Sequence, residues 1–176
     1  MVPVIETARL RLRGFTAADI TAQAAMLGDP DITRHLGGRT LGREEAWRRT
    51  LAGAGMWDLL GYGYWAVELR ADGAMIGQTG FGDFKRDLDP SIDGIAEIGW
   101  VFAASAHGQG YASEAATAAL EWGDRVLADQ SFAAIIDPDN APSIRLARKL
   151  GFGEGRPASY AGDPVLLFRR PAARPG

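Results

Sequence analysis

The chain has 176 residues, of which 47% are hydrophobic, and a formal net charge of -3 at pH 7. This length predicts one domain with a single core over residues 1–170, followed by a disordered tail at 171–176. The negative charge argues against nucleic-acid binding, which favours strongly basic domains. No apolar run approaches the ~20 residues of a transmembrane helix and the start lacks a signal-peptide pattern, so we expect a cytoplasmic protein with no membrane partner.

Cysteine is absent, and the chain contains two histidines, His35 and His107. The absence of cysteine excludes disulfides, a thiolate zinc site and a cysteine acyl-enzyme. Nothing in the sequence pairs with either histidine, so we expect no metal cofactor.

The predicted elements begin with a strand in which Leu10 and Leu12 alternate with arginines at 9, 11 and 13. This is the period of a half-buried strand with its charges on the wet face. Thr16 and Asp19 have the spacing of a capping box and predict a helix at 17–28, and a second helix is predicted at 42–53.

The later elements alternate in type and are separated by short turns. They are predicted as strands at 64–70 and 74–84 joined by a hairpin turn at 71–73, a polar loop at 87–93, a strand at 95–102, a helix at 110–127, a strand at 131–137, a helix at 141–150 and strands near 154–160 and 165–170. This order predicts an α/β (α+β) fold in which helices flank both faces of a mixed central sheet.

A glycine-punctuated turn between an apolar strand and an alanine-rich helix is the most informative feature. The strand ends at Phe102, and the turn reads His107-Gly-Gln-Gly-Tyr-Ala112. Gly108 and Gly110 allow the backbone to approach a ligand closely, and the first N–H groups of a helix lack intrahelical partners. Together these two features favour the binding of a phosphate. Neither the dinucleotide fingerprint nor the P-loop spacing is present.

This turn resembles the pyrophosphate loop of the GNAT superfamily of acyl-CoA-dependent N-acetyltransferases, written Q/R-x-x-G-x-G/A. Gly110 and Ala112 match, whereas His107 stands where Gln or Arg is usual. The segment 140–152 is similar to the later signature N-x-x-S-I-x-L-x-x-K-L-G-F. The amino end, from Thr7 through Ile32, resembles the opening of the RimJ/RimL-type branch, so the resemblance covers nearly the whole chain.

The resemblance implies acetyl-CoA as co-substrate and a primary amine as acceptor, either a protein N-terminal α-amine or a small-molecule amine. It implies direct attack in a ternary complex, and it leaves a homodimer open. It further implies that the strands at 95–102 and 131–137 splay apart at one end, where the acyl-pantetheine arm enters. The residues that it assigns to the cofactor are Trp100, Val101, Phe102, His107, Gly108, Gln109, Gly110, Tyr111, Ala112, Ser113, Asn140, Ser143 and Lys149.

Proton transfer from the acceptor ammonium requires a base, and Glu97 is the first candidate because it is ionisable within an apolar strand. Such a charge is costly unless it has a partner or a task. Glu97 could therefore be a base or an ammonium anchor, or could face solvent or pair with an arginine. Glu68 is a second candidate, and Glu114 is favoured in the first helical turn by the dipole.

The departing thiolate requires an acid, and many superfamily members place a Tyr where this chain has Ala147. Ser143 is the nearest hydroxyl in the motif and is a candidate acid. Ser143 or Asn140 could instead only cap the helix, and Asn140 could hold the pantetheine arm through its amide. Tyr160 and Tyr111 are alternative phenols.

Two further features leave alternatives open. Trp47, Trp57, Tyr62, Tyr64 and Trp65 concentrate aromatic surface before the first motif, either as core or as a receptor for an ammonium. Cations at 145, 148 and 149 could reach a CoA phosphate or remain solvated. Because the usual phenol is missing, a CoA-binding sensor or interaction module without turnover is the alternative function.

Overall fold

A computed structural model describes residues 1–172 of the chain, and the fold is a nine-stranded mixed sheet covered by helices. The strands are β1 Ile5–Glu6, β2 Leu10–Arg13, β3 Tyr64–Leu69, β4 Met75–Gly82, β5 Leu88–Asp89, β6 Ala96–Phe102, β7 Phe132–Ile136, β8 Arg156–Tyr160 and β9 Asp163–Arg170. The helices are α1 Ile20–Leu27, α2 Pro30–Thr33, α3 Arg43–Leu60, α4 Tyr111–Val126 and α5 Ala141–Lys149. This confirms the predicted fold class.

The strands lie in the order β1-β2-β3-β4-β6-β7-β9-β8-β5, and only the β6–β7 pair is parallel among the described strands. Helices α1 and α3 cover one face of the sheet, and α4 and α5 cover the other. The main core lies between α4 and the sheet, where Phe81, Ile98 and Phe132 meet the alanines of α4. Small residues on α4 allow this close packing, and a side chain at Gly123 would meet both phenylalanine rings.

Strands β6 and β7 separate after a short paired stretch. Their register contains only two pairs, Ala96 with Phe132 and Glu97 with Ala133. Beyond them, both strands continue without pairing to each other, which leaves facing backbone groups without sheet partners. The splay that the family resemblance implied is therefore confirmed, and unpaired strand edges of this kind can bind an amide-rich ligand.

Two predicted boundaries were wrong. Helix α3 continues past Gly53 to Leu60. Gly53 has no side chain, so the helix can pack closely on the Phe15 ring at this position. The helix ends at Gly61, whose φ of 76° is left-handed. The predicted polar loop at 87–93 contains the short strand β5, whose buried Leu88 pairs with Tyr160.

The amino-terminal strand has the predicted alternation. Leu10 and Leu12 are fully buried, whereas Arg9 and Arg11 are exposed and Arg13 is partly buried. Arg13 binds Asp19 and Glu68, and Arg9 binds Glu114. The tail predicted at 171–176 lies largely outside the described residues. No helix in the described part of the chain is long and apolar enough to cross a membrane.

Candidate active site

The turn after β6 presents a row of free backbone donors. Among the described residues, none of the N–H groups from 108 to 113 has a hydrogen-bond acceptor, and the first paired N–H is that of Glu114. Gly108 and Gly110 have φ values of 74° and 79°, a conformation that side chains rarely adopt. The loop therefore points consecutive donors at the opening of α4, where the helix dipole also favours an anion.

A network on the amino-terminal segment holds this loop in place. The Arg9 guanidinium donates to the Gln109 carbonyl at 2.9 Å and lies 4.5 Å from the centre of the Tyr111 ring. It also forms an ion pair with Glu114, which accepts from Thr7 as well. Burial favours the neutral acid, but the hydrogen bonds from Thr7 and Arg9 prevail and lower the pKa of Glu114. Glu114 thus braces the loop in addition to lying in the first helical turn.

Beside the loop lies a cavity of about 510 Å³ that Lys149 shares with Gly110 and Ser113. The predicted cation is thus brought to the opening of α4 from the far end of α5. The two neighbouring cations have other environments: Arg148 pairs with Glu154 at 2.8 Å, and Arg145 is exposed. Of the three cations, Lys149 is the one that lies beside the loop of free N–H donors.

His107 contacts the end of β6 from within the turn. The ring Nε2 of His107 lies 3.0 Å from the Phe102 carbonyl oxygen. The side chain therefore supports the turn itself, while the loop residues 107–110 remain exposed. Trp100, Val101 and Phe102 all lie on the part of β6 that has separated from β7.

Ser143 faces this gap from α5. Its hydroxyl oxygen accepts a hydrogen bond from the Trp100 indole at 3.1 Å, and its backbone N–H donates to the Asn140 side chain at 3.2 Å. Asn140 is therefore the residue whose side chain caps α5, and the Ser143 hydroxyl is available for another purpose. Ala147 is fully buried.

Glu97 is buried and ion-paired. Arg86, in the loop after β4, donates to both carboxylate oxygens, at 2.7 and 2.9 Å. The guanidinium in turn lies between the rings of Phe84 and Tyr160, at 4.5 and 4.9 Å from their centres. An ionised carboxylate has about four acceptor positions, so each oxygen can still accept from an ammonium or a water.

Sequence reasoning did not single out Arg86, although an arginine shortly before a strand that carries a buried acid is a natural partner to seek. Glu68, the second candidate base, has its own partner. It lies 2.6 Å from Arg13 at the β2 side of the sheet.

The early aromatic residues lie in three environments, and Tyr62 is buried in the core. Trp57 and Trp65 pack edge to face with each other and with Trp122, and thus belong to the core. Tyr64 is only partly buried and extends from β3 toward β6, where its hydroxyl lies against Gly99. Trp47 lines a separate apolar cavity with Ile20.

His35 has a partner that sequence reasoning missed. Its Nδ1 lies 2.8 Å from a carboxylate oxygen of Asp137, directly after β7, so this contact ties the segment after α2 to the splayed end of the sheet. Burial favours the neutral acid of Asp137, but the hydrogen bond from His35 lowers its pKa overall. Partners 102 positions apart leave no local sequence signal.

Comparison with known proteins supports one family. The chain matches the family model described as an acetyltransferase (GNAT) domain over residues 9–153. It is 33% identical to a structure titled as a GnaT-family acetyltransferase from Bordetella pertussis, with a TM-score of 0.82 and coverage of 96% of this chain and 99% of that chain.

Two further proteins extend the comparison. The uncharacterized protein YkkB of Bacillus subtilis (strain 168) is 30% identical over 167 residues, which is 93% of each chain. The chain is also similar to the structure of RimL, a ribosomal L7/L12 alpha-N-protein acetyltransferase, in complex with coenzyme A. The TM-score is 0.75 at 19% identity, and the match covers 97% of this chain and 98% of that chain. At this identity the likeness shows the fold. With its splayed strands, its loop of free donors and the matched domain, the chain belongs to the GNAT acetyltransferase family.

Proposed function

We propose that the protein transfers the acetyl group of acetyl-CoA to a primary amine by direct attack within a ternary complex, and that it belongs to the RimJ/RimL-type branch. The observation that carries the proposal is the continuity between the β6–β7 gap and the free N–H groups of 108–113. A pyrophosphate at the loop places a pantetheine arm in line with the gap. Its amides can then pair with the unpaired strand edges.

Each end of the cofactor has a chemically suitable partner. The loop donors and Lys149 suit the phosphates, since both provide positive charge beside one cavity. The separated half of β6, including Val101, suits the arm. Asn140 uses its oxygen as a cap, so only its amide N–H groups remain for the ligand.

Chemistry at the thioester requires a proton acceptor and a proton donor. Glu97 lies where β6 begins to leave β7, and its anti lone pairs can accept from the acceptor ammonium directly or through water. Ser143 accepts from Trp100, which leaves its own O–H free to donate to the departing thiolate. The cysteine-free sequence is consistent with direct attack, since no thiol can carry the acetyl group.

The test is thiol release from acetyl-CoA with a panel of acceptors: a peptide with an N-terminal serine, a polyamine and free amino acids. We expect release above the hydrolytic background with at least one acceptor, and mass spectrometry should find the acetylated amine. Binding of CoA in calorimetry without thiol release from any amine would instead identify a CoA-binding module without turnover. Absence of both binding and turnover would contradict the proposal.

A further inference from the structure

Tyr64 lies on the sheet face toward which Glu97 and Gly99 of β6 point, and its hydroxyl has no role in the chemistry proposed so far. The cross-strand register aligns three residues on this face: Tyr64 on β3, Gly80 on β4 and Gly99 on β6. Because the two glycines have no side chains, the tyrosine ring can extend across β4. Its hydroxyl reaches β6, and a Cβ added to Gly99 would meet the hydroxyl oxygen.

Gly99 lies at the depth of the β6–β7 gap. The last β6–β7 pair contains Glu97, so Gly99 is two residues into the separated part of β6. A pantetheine arm that enters from the loop end of β6 runs toward this point, and its thioester would end there. The Tyr64 hydroxyl is therefore next to the place where the reacting carbonyl would lie.

The hydroxyl is an available donor. It makes no hydrogen bond to any residue between 1 and 172, and Tyr64 is only partly buried, so its O–H is free to donate to a ligand. Burial, with a smaller contribution from the charge of Glu97, raises the pKa of Tyr64 above its ordinary value, so the phenol stays protonated at neutral pH.

The position of the ring is fixed by its neighbours. The Trp57 indole donates to the Tyr64 carbonyl at 3.0 Å, and the Phe84 ring packs against the tyrosine ring at a centroid distance of 6.1 Å. A donor held in place before the reaction has little reorganisation to undergo as charge develops, which is the condition for effective oxyanion stabilisation.

On the basis of the proposed function, we infer that the Tyr64 hydroxyl donates the hydrogen bond that stabilises the tetrahedral oxyanion. The acceptor nitrogen uses its lone pair to form the C–N bond, and the carbonyl π pair moves to the oxygen that faces Tyr64. When this pair re-forms the C=O bond, the C–S bond breaks and its electrons leave on sulfur. Two protons leave the acceptor nitrogen: Glu97 or water takes one from the ammonium before the attack, and water takes the other from the tetrahedral intermediate. The thiolate takes a proton from Ser143, which regains one from water, or directly from water, and Tyr64 keeps its own.

The test compares wild type, Tyr64→Phe and Tyr62→Phe. Tyr62 is a matched control because its phenol is on the same segment but is buried in the core with Trp57 and Trp65, so it is not part of an ammonium receptor. Thiol release is measured with acetyl-CoA and with its dithioester analogue, whose C=S sulfur accepts hydrogen bonds poorly. Hydrolysis by water is followed alongside the amine panel, since it passes through the same oxyanion. Calorimetry measures CoA affinity.

We expect Tyr64→Phe to lower turnover of acetyl-CoA about 10²- to 10³-fold while CoA affinity and the melting temperature stay near wild type. The loss should shrink to less than about tenfold with the dithioester, and Tyr62→Phe should retain wild-type turnover. A rate within about twofold of wild type, or an equal loss with both substrates, would overturn the inference for Tyr64 alone. A wild-type enzyme that releases no thiol with any acceptor would overturn the proposed function, and the inference with it.

If Tyr64→Phe is unstable, Trp57→Phe provides a second variant. It removes the indole N–H that holds the Tyr64 carbonyl but leaves the phenol itself. A smaller loss with the same dependence on the carbonyl analogue would support the role of Tyr64, and a loss that is equal for both analogues would contradict it.

Discussion

The Trp100 indole N–H donates to the Ser143 hydroxyl oxygen at 3.1 Å, and this hydrogen bond connects β6 to α5 across the splayed end of the sheet. A hydroxyl that accepts from one neighbour can direct its own hydrogen elsewhere. Under the proposed function, this hydrogen is directed to the thioester in the β6–β7 gap. A second hydrogen bond, from the Ser143 backbone N–H to the Asn140 side chain, shows that Asn140 is the side-chain cap of α5.

We predict that Ser143→Ala lowers the catalytic rate without changing CoA affinity. The loss should shrink with acetyl-seleno-CoA, because a less basic leaving group needs less protonation. Asn140→Ala is the comparison: removal of a cap should cost about 1 kcal/mol of stability, with a rate effect that does not depend on the leaving group. Thermal unfolding and rates with both acyl donors check this, and an equal loss with both donors in Ser143→Ala would exclude an acid role.

Glu97→Gln is predicted to lower turnover about 10²-fold or more while CoA affinity is retained, since the amide keeps the shape but cannot take a proton. It also removes a partner of Arg86, so stability should fall by roughly 1–3 kcal/mol. Arg86→Gln separates the two effects, because it breaks the ion pair but keeps the carboxylate. If both variants lose the same activity, Glu97 acts only by holding Arg86, and Glu68 becomes the candidate base.

Gly110→Asp is predicted to abolish acetyl-CoA binding, because it places a carboxylate beside the proposed pyrophosphate and a Cβ on a backbone with φ of 79°. Gly110→Asn is the matched control, since asparagine has nearly the same shape and tolerates this conformation but carries no charge. Calorimetry should find weaker binding for both variants and a much larger loss for Asp. Wild-type affinity in a folded Gly110→Asp variant would show that the loop does not bind the pyrophosphate.

The brace between Arg9 and Glu114 predicts a pH dependence. The folded-state pKa of Glu114 lies below the ordinary value of 4.5, because hydrogen bonds from Thr7 and Arg9 outweigh the effect of burial. The ionised form therefore stabilises the fold above pH 4.5, and this contribution is lost as the pH falls through the folded-state pKa. In urea unfolding, Glu114→Gln should be less stable than wild type at neutral pH, and the difference should narrow in acid. A difference that is constant with pH would contradict this.

Local patterns were sufficient to predict much of the fold. The alternation of Leu10 and Leu12, the hairpin turn at 71–73 and the alanine periodicity of α4 each depend on neighbours in the chain, and the elements they predict are present. The errors also have local causes. The predicted helix ended at Gly53, whereas α3 continues to Leu60 and the missing side chain of Gly53 allows a tertiary contact with Phe15.

The sequence by itself determined the loop of free donors before α4, since its glycine spacing leaves consecutive backbone N–H groups without acceptors. It also determined the family, through motifs at 107–112 and 140–152. Only the tertiary structure decided what the candidate catalytic residues contact. Arg86 binds Glu97, the Trp100 indole binds the Ser143 hydroxyl, and Tyr64 reaches Gly99 across β4, because sheet register and the β6–β7 splay bring together residues that no local pattern relates.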